Sequence, residues 1–239
     1  MGRAHEVRAA AMAKTAAMKS KLYSRYGKEI FIAAKSGVPD PEMNLTLRSK
    51  IKEAKANQVP ADVIKRAIEK AKGGSNESYD SLRYEGFGPG NATIIIDCLT
   101  DNSNRTVAAM NTCFNKSRCK MGVKGSVSFN YDNLGILSFK YTDEDTMLDT
   151  LINAEVDVTD LEVEDGEMTV YVAPSDLHKA QDAIEQLIPD CEFSVCAIKM
   201  LPQEYVKLED PHDKELWDRL LSLLDEVDDV QEVYHNVID

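Results

Sequence analysis

Apolar residues along the chain first repeat at helical spacing and then, past Gly74, at strand spacing. Leu22, Tyr23, Tyr26, Ile30 and Ala33 fall on one side of a first long helix, and Val63, Ile64, Ala67, Ile68 and Ala71 mark a later one. Ser36-Gly37 closes the first helix, because glycine takes the left-handed cap readily. Asp40-Pro41 then offers an N-cap and a first-turn proline for a second helix, which runs to Ala56. Val59-Pro60 opens the third, and Gly73-Gly74 stops it. These elements predict a small helical domain over residues 1–74, with Gly27 a point where the first helix could break.

A polar link, Gly74-Ser75-Asn76-Glu77-Ser78, leads into a different pattern. Ala92 to Leu99 reads as a buried strand, Asn104 to Ser117 as a helix, and Gly125 to Tyr131 alternates as a strand does. Next come a strand from Ile136 to Tyr141, a helix from Asp143 to Ala154, and a hairpin of Leu161–Val163 with Met168–Val172 about Glu164-Asp165-Gly166-Glu167. A helix capped by Ser175 and running to Leu187, and a strand from Phe193 to Met200, complete a β-α-β-β-α-β series of the ferredoxin-like kind. Beyond Pro202, a short strand Tyr205–Leu208, a helix Asp213–Val227 and a strand Val230–Val237 form a β-α-β run too small to stand alone. Joined to the run from Ala92 to Tyr131, it makes a second unit of the same type. The expected fold is therefore α+β. A helical domain (1–74) precedes two ferredoxin-like domains, one discontinuous (75–132 plus 203–239) and one inserted into it (133–202).

Charge adds a functional dimension. The chain of 239 residues carries a net charge of −13, from 28 Lys+Arg and 41 Asp+Glu. Residues 1–74 hold 16 of those cations and 7 of the acids, net +9, which leaves 12 against 34, net −22, for the rest. Such a split marks a segment that meets a polyanion, nucleic acid first among them. In the first helix Lys14, Lys21, Lys28 and Lys35 stand seven residues apart, with Lys19 and Arg25 beside them. At that spacing they drift by only about 20° per step and form one ridge. Arg48, Lys50, Lys52, Lys55, Lys65 and Arg66 extend the basic character, although a solvated helix face is the plain alternative.

A second basic stretch interrupts the acidic part. No acid lies between Asp101 and Asp132, while Arg105, Lys116, Arg118, Lys120 and Lys124 give +5. Most of these fall in the loop Asn115–Gly125, which could mould onto phosphates or simply connect a helix to a strand in water.

Other chemistries find little footing. No apolar run approaches the roughly 18 to 20 residues of a membrane span, and the start lacks the apolar core of a secretory signal, so a cytoplasmic location is expected. The five cysteines form no C-x-x-C pair and are expected to be reduced, with Cys98, Cys191 and Cys196 as packed thiols. The histidines are dispersed, so neither structural zinc nor another cofactor is expected. Gly86-Phe87-Gly88-Pro89-Gly90 precedes a strand rather than a helix, which suits a turn and not a nucleotide cradle. Asp228-Asp229 reads as part of a solvated acidic surface, and no motif points to an enzyme.

Several stretches together are specific. Arg83 to Gly90, Thr100 to Thr106, Gly125-Ser126-Val127 and Asp228 to Asn236 resemble the signature segments of the YebC family, in order and over essentially the full length. Ala54 to Asn57, Val59-Pro60 and Ile64 to Ile68 resemble its helical N-terminal domain. Departures occur at the start, where Gly2-Arg3-Ala4-His5-Glu6 replaces Gly-His-Ser-Lys-Trp, and at Arg118-Cys119, where many members carry Gly-Gly. The resemblance implies three domains and a role in gene expression. Some members are labelled probable transcriptional regulators that bind DNA; others, including the mitochondrial translational activator of cytochrome oxidase, act in translation, where relief of ribosomes stalled on proline-rich stretches is the proposed role. The preferred expectation is a non-enzymatic translation factor that contacts ribosomal RNA through the basic helices and the loop from Lys116 to Lys124. A DNA-binding transcriptional regulator and a protein-interaction scaffold are the alternatives. Contact through phosphates and shape is expected, since the strands carry no aromatic RNA-binding signature.

Overall fold

The computed structural model describes residues 16–74 and 78–238. It begins with α1 (Ala16–Lys35), α2 (Leu45–Ala56) and α3 (Ala61–Lys72). Then come β1 (Asp80–Phe87), β2 (Thr93–Thr100), α4 (Ser103–Lys116), β3 (Lys120–Met121) and β4 (Tyr131–Lys140). After α5 (Glu144–Asn153) follow β5 (Val158–Glu164), β6 (Glu167–Val172), α6 (Leu177–Leu187) and β7 (Phe193–Pro202). The chain ends with β8 (Val206–Lys207), α7 (Pro211–Asp225), β9 (Val230–His235) and β10 (Val237–Ile238). Two units result, one of described residues 16–74 with 133–199 and one of 78–132 with 200–238. No helix among the described residues is long and apolar enough to cross a membrane.

In the first unit α1 runs unbroken through Gly27, whose Cα faces α3: a methyl group there would sit 3.7 Å from Val63. Helix α2 starts later than expected. Asn44, not Asp40, caps it: its Oδ1 accepts the Leu47 N–H at 3.0 Å while its Nδ2 donates to the carbonyls of Ala33 at 2.8 Å and Val38 at 3.0 Å. An amide can satisfy the end of one helix and the start of the next together, whereas Asp40 can only accept, and it closes a local turn with Glu42 N–H. Tyr26, Ile30, Phe31, Leu47, Ala54, Ile64 and Ala67 are buried here.

These helices share their unit with a sheet ordered β5-β6-β4-β7, in which β6 is antiparallel to both β4 and β5. That is the ferredoxin-like order. Its core comprises Leu137, Phe139, Met147, Leu151, Val170 and Ile184, and Ala56 at the end of α2 packs against it. The hairpin turns at Asp165 (φ 54°) and Gly166 (φ 80°), the left-handed pair a two-residue turn requires. Ser175 does not cap α6; it lies in a short 3₁₀ turn, and the neighbouring Asp176 accepts the Asp157 N–H at 2.8 Å.

The second unit has a sheet ordered β3-β1-β2-β9, with every neighbouring pair antiparallel. Spatial order and directions again match the ferredoxin-like sheet, but its third position is taken by β1, which precedes β2 in the chain. Sequence periodicity missed β1 because Asp80–Phe87 alternates weakly and places a glycine beside a buried acid just before its last residue. The segment expected to fill that position shrinks to β8, which pairs in parallel with β10 outside the four-stranded sheet. Gly125–Tyr131 is likewise not a strand up to Tyr131; it includes a 3₁₀ turn, Ser128–Asn130. Ile94, Ile96, Met110, Phe114, Trp217 and Leu220 form this unit's core.

Candidate nucleic-acid interface

Strand β1 carries a buried carboxylate to the base of the basic loop. Glu85 is 2% exposed. Its Oε1 accepts the N–H of Gly125 at 2.8 Å, and its Oε2 accepts those of Val127 at 2.6 Å and Ser128 at 2.9 Å. The Glu85 carbonyl accepts the Gly122 N–H at 2.8 Å. One residue thus satisfies donors that a strand over Gly125–Tyr131 would have offered to a neighbour, which explains why no strand forms there. Burial pushes the Glu85 carboxyl up, but the three backbone donors outweigh it and hold the group below the usual carboxylate range.

The glycines beside Glu85 serve close packing. A methyl group on Gly86 would lie 2.3 Å from the Phe114 ring, and one on Gly88 would lie 2.7 Å from Trp217. Gly90 (φ 57°) and Asn91 (φ 64°) make the turn into β2, as the motif reading expected.

On the other side of the loop α4 ends in a left-handed residue. Arg118 has φ 54°, and the Cys119 N–H returns to the Phe114 carbonyl at 3.0 Å. Glycine is the usual occupant of such a position, so Arg118 places a cation at some conformational cost. Lys116, Arg118, Lys120 and Lys124 are all exposed, and none forms an ion pair among the described residues. Val123 (77% exposed) projects from the same loop and Phe129 (69% exposed) from the 3₁₀ turn after it, an exposure that sequence alone did not reveal.

Arg105 stands apart from that group. Its Nη2 reaches both carboxylate oxygens of Asp229 at 2.9 and 3.0 Å, and Asp101 at 2.8 Å. Asp229, read from sequence as a solvated acid, is in fact 7% exposed. It also accepts the hydroxyls of Thr106 at 2.9 Å and Thr100 at 3.2 Å. Burial raises its pKa, and the Arg105 and threonine donors together bring it below the ordinary value. Arg105 therefore anchors the turn before β9 to the start of α4.

The helical candidates are mostly engaged within their own unit. Arg25 is bound to Glu29 at 2.8 Å and stacks on Tyr26, its guanidinium 5.1 Å from the ring centre. Lys50 bridges Glu29 at 3.0 Å and Glu53 at 2.9 Å. Lys52 pairs with Asp182, and Arg66 with Asp62. Arg48 donates to the carbonyls of Pro41 at 3.0 Å and Glu42 at 2.8 Å. Lys65 is exposed, 3.9 Å from Glu69. Of the lysine ridge, Lys21 and Lys28 are half-buried and Lys35 is exposed, 5.7 Å from the Phe31 ring centre. Lys14 lies outside the described residues.

Among the described residues, no group of three or more His, Cys, Asp or Glu could hold a metal ion. All five cysteines are free thiols, and burial pushes Cys196 up to about 12.

Two units with four-stranded sheets of ferredoxin-like order, one of which also holds the N-terminal helices, define an α+β class. The chain belongs to the TACO1/YebC family: residues 3–74 match the description "TACO1/YebC protein N-terminal domain" and residues 79–237 "TACO1/YebC second and third domain". It is 50% identical over 236 residues to a probable transcriptional regulatory protein of Marinomonas sp., covering 99% of both chains. It is 46% identical over 238 residues to another of that name from Alteromonas mediterranea, covering 100% of this chain and 99% of that one. The crystal structure of a conserved hypothetical protein, Aq1575, from Aquifex aeolicus superposes with a TM-score of 0.75 at 30% identity, over 95% of this chain and 93% of that one. The segments that carried the family resemblance meet in space. Glu85 joins Arg83–Gly90 to Gly125–Val127, and Asp229 joins the C-terminal stretch to Thr100–Thr106.

Proposed function

We propose that this protein is a nucleic-acid-binding regulator of gene expression, and that it acts as a translation factor holding ribosomal RNA and relieving stalled ribosomes. One observation carries the reading: four exposed cations that form no ion pair among the described residues sit on or beside a loop whose backbone is fixed by the buried Glu85. A cationic loop shaped in advance loses little entropy on meeting phosphates, and it needs no groove of fixed width. The basic helices would add long-range attraction, while the acidic remainder would be repelled and so orient the protein on its target. Their cations are largely engaged in ion pairs, which makes the loop the principal attachment point.

DNA is the second reading, favoured by the names of the relatives as probable transcriptional regulatory proteins. Phosphate contacts alone do not separate the two polymers. Co-sedimentation with ribosomes, run beside duplex-DNA retention at matched salt, does so. Ribosome binding with weak, sequence-blind DNA retention is expected, together with faster synthesis from a proline-rich message when the protein is added. A tight preference for one duplex sequence would overturn the translation reading.

A further inference from the structure

We infer that Phe129 is a stacking platform for an unpaired RNA base, with Lys120 and Lys124 holding the flanking phosphates. The inference rests on the nucleic-acid reading above and sharpens it, from a surface that meets phosphates to one that also takes an unpaired base.

Three observations support it. First, Phe129 is 69% exposed although aromatic side chains are ordinarily a main source of buried area. It sits in the 3₁₀ turn Ser128–Asn130, whose preceding N–H groups are committed to Glu85. Second, the same carboxylate positions both kinds of group. One oxygen holds the N–H of Gly125, next to Lys124; the other holds that of Ser128, next to Phe129. Lys120 is registered opposite Phe87, two residues from Glu85, in the β1–β3 pair. The aromatic ring and the cations therefore share one rigid base. Third, no acid occurs between Asp101 and Asp132, so a polyanion approaching the ring meets no repulsion from its own segment.

The chemistry selects the partner. A basic, exposed aromatic site suits a π-face that carries phosphates on either side, which describes an unstacked nucleotide. A duplex hides its base faces and would engage only the cations. Exposed Val123 (77%), on the same loop, offers apolar contact to the sugar or base edge.

The test uses the full chain and fluorescein-labelled 12-nucleotide probes at fixed salt: oligouridylate, the matching DNA, an abasic strand of equal charge, and an RNA duplex. Stacking is worth about 1–3 kcal/mol per base, so Phe129→Ala should weaken oligouridylate binding roughly 5- to 150-fold. The same variant should bind the abasic strand and the duplex as the parent does. Phe129→Trp should restore oligouridylate affinity, and Phe129→Leu, equally apolar but without a π-face, should not. DNA binding equal to RNA binding would overturn the assignment to RNA. Equal loss on base-bearing and abasic strands, or full activity of Phe129→Leu, would overturn the stacking role while leaving nucleic-acid binding intact. Failure of the parent protein to bind any strand or the ribosome would overturn both readings together.

Discussion

The Glu85 carboxylate accepts the Val127 backbone N–H at 2.6 Å, the shortest of three such bonds that tie the basic loop to strand β1. Hydrogen bonds to a charged acceptor contribute about 1.5–3 kcal/mol each, and an unsatisfied buried N–H costs a further amount of that order. Glu85→Gln keeps one acceptor oxygen but turns an amide donor toward donors. It should lower the unfolding free energy by about 2–4 kcal/mol at pH 7, measured by urea denaturation. The folded pKa of Glu85 is depressed, so its stabilisation is present above the unfolded value near 4.3 and is lost as pH falls through the lower folded value. The gap between parent and variant should hold from pH 7 to about 5 and then close in more acid solution. A gap independent of pH would contradict the ionised carboxylate.

The bond between Arg105 and Asp229 anchors the turn before β9 to the start of α4. Asp229→Asn should destabilise the protein by about 1.5–3 kcal/mol, because the buried site loses a charged acceptor for Arg105 and two threonine hydroxyls. Arg105→Gln should lower the melting temperature while leaving oligonucleotide affinity at a given salt unchanged. Lost affinity with an unaltered melting temperature would return Arg105 to the interface.

Gly86 and Gly88 are packing positions. Gly86→Ala puts a methyl group into the Phe114 ring and should cost about 1–3 kcal/mol by overpacking. Millimolar ATP or GTP should leave the melting temperature where it is, since the Gly86–Gly90 run ends strand β1 and turns into β2, with no helix N-terminus to receive phosphates. A nucleotide-dependent rise in melting temperature would reopen that site.

How much of this was legible beforehand differs by element. The helices were readable from apolar spacing and punctuation, since local signals decide them, and the α+β class followed from the change of period. Strand β1 was not readable, because Asp80–Phe87 gains its place by pairing with β2 and β3, a long-range choice that leaves a weak local pattern. The extended reading of Gly125–Tyr131 failed for a related reason: alternation was present, but a distant carboxylate claimed the donors. The basic loop was visible as charge. What converts it into a shaped surface is Glu85, and a lone acid in a strand looks the same whether it faces water or three backbone N–H groups. Charge counting also could not tell a cation that pairs with its own unit, as Arg25 and Lys52 do, from one left to solvent, as Lys124 is.

The central claim is that the cationic loop attaches the protein to RNA, and salt dependence tests it most directly. Each phosphate neutralised on a single strand contributes about 0.7 to the slope of log affinity against log salt. Replacing Lys116, Arg118, Lys120 and Lys124 together with glutamine should therefore reduce the oligouridylate slope by up to roughly 3, with affinity falling at every salt concentration and the melting temperature preserved. An unchanged slope and affinity in that variant would contradict the claim.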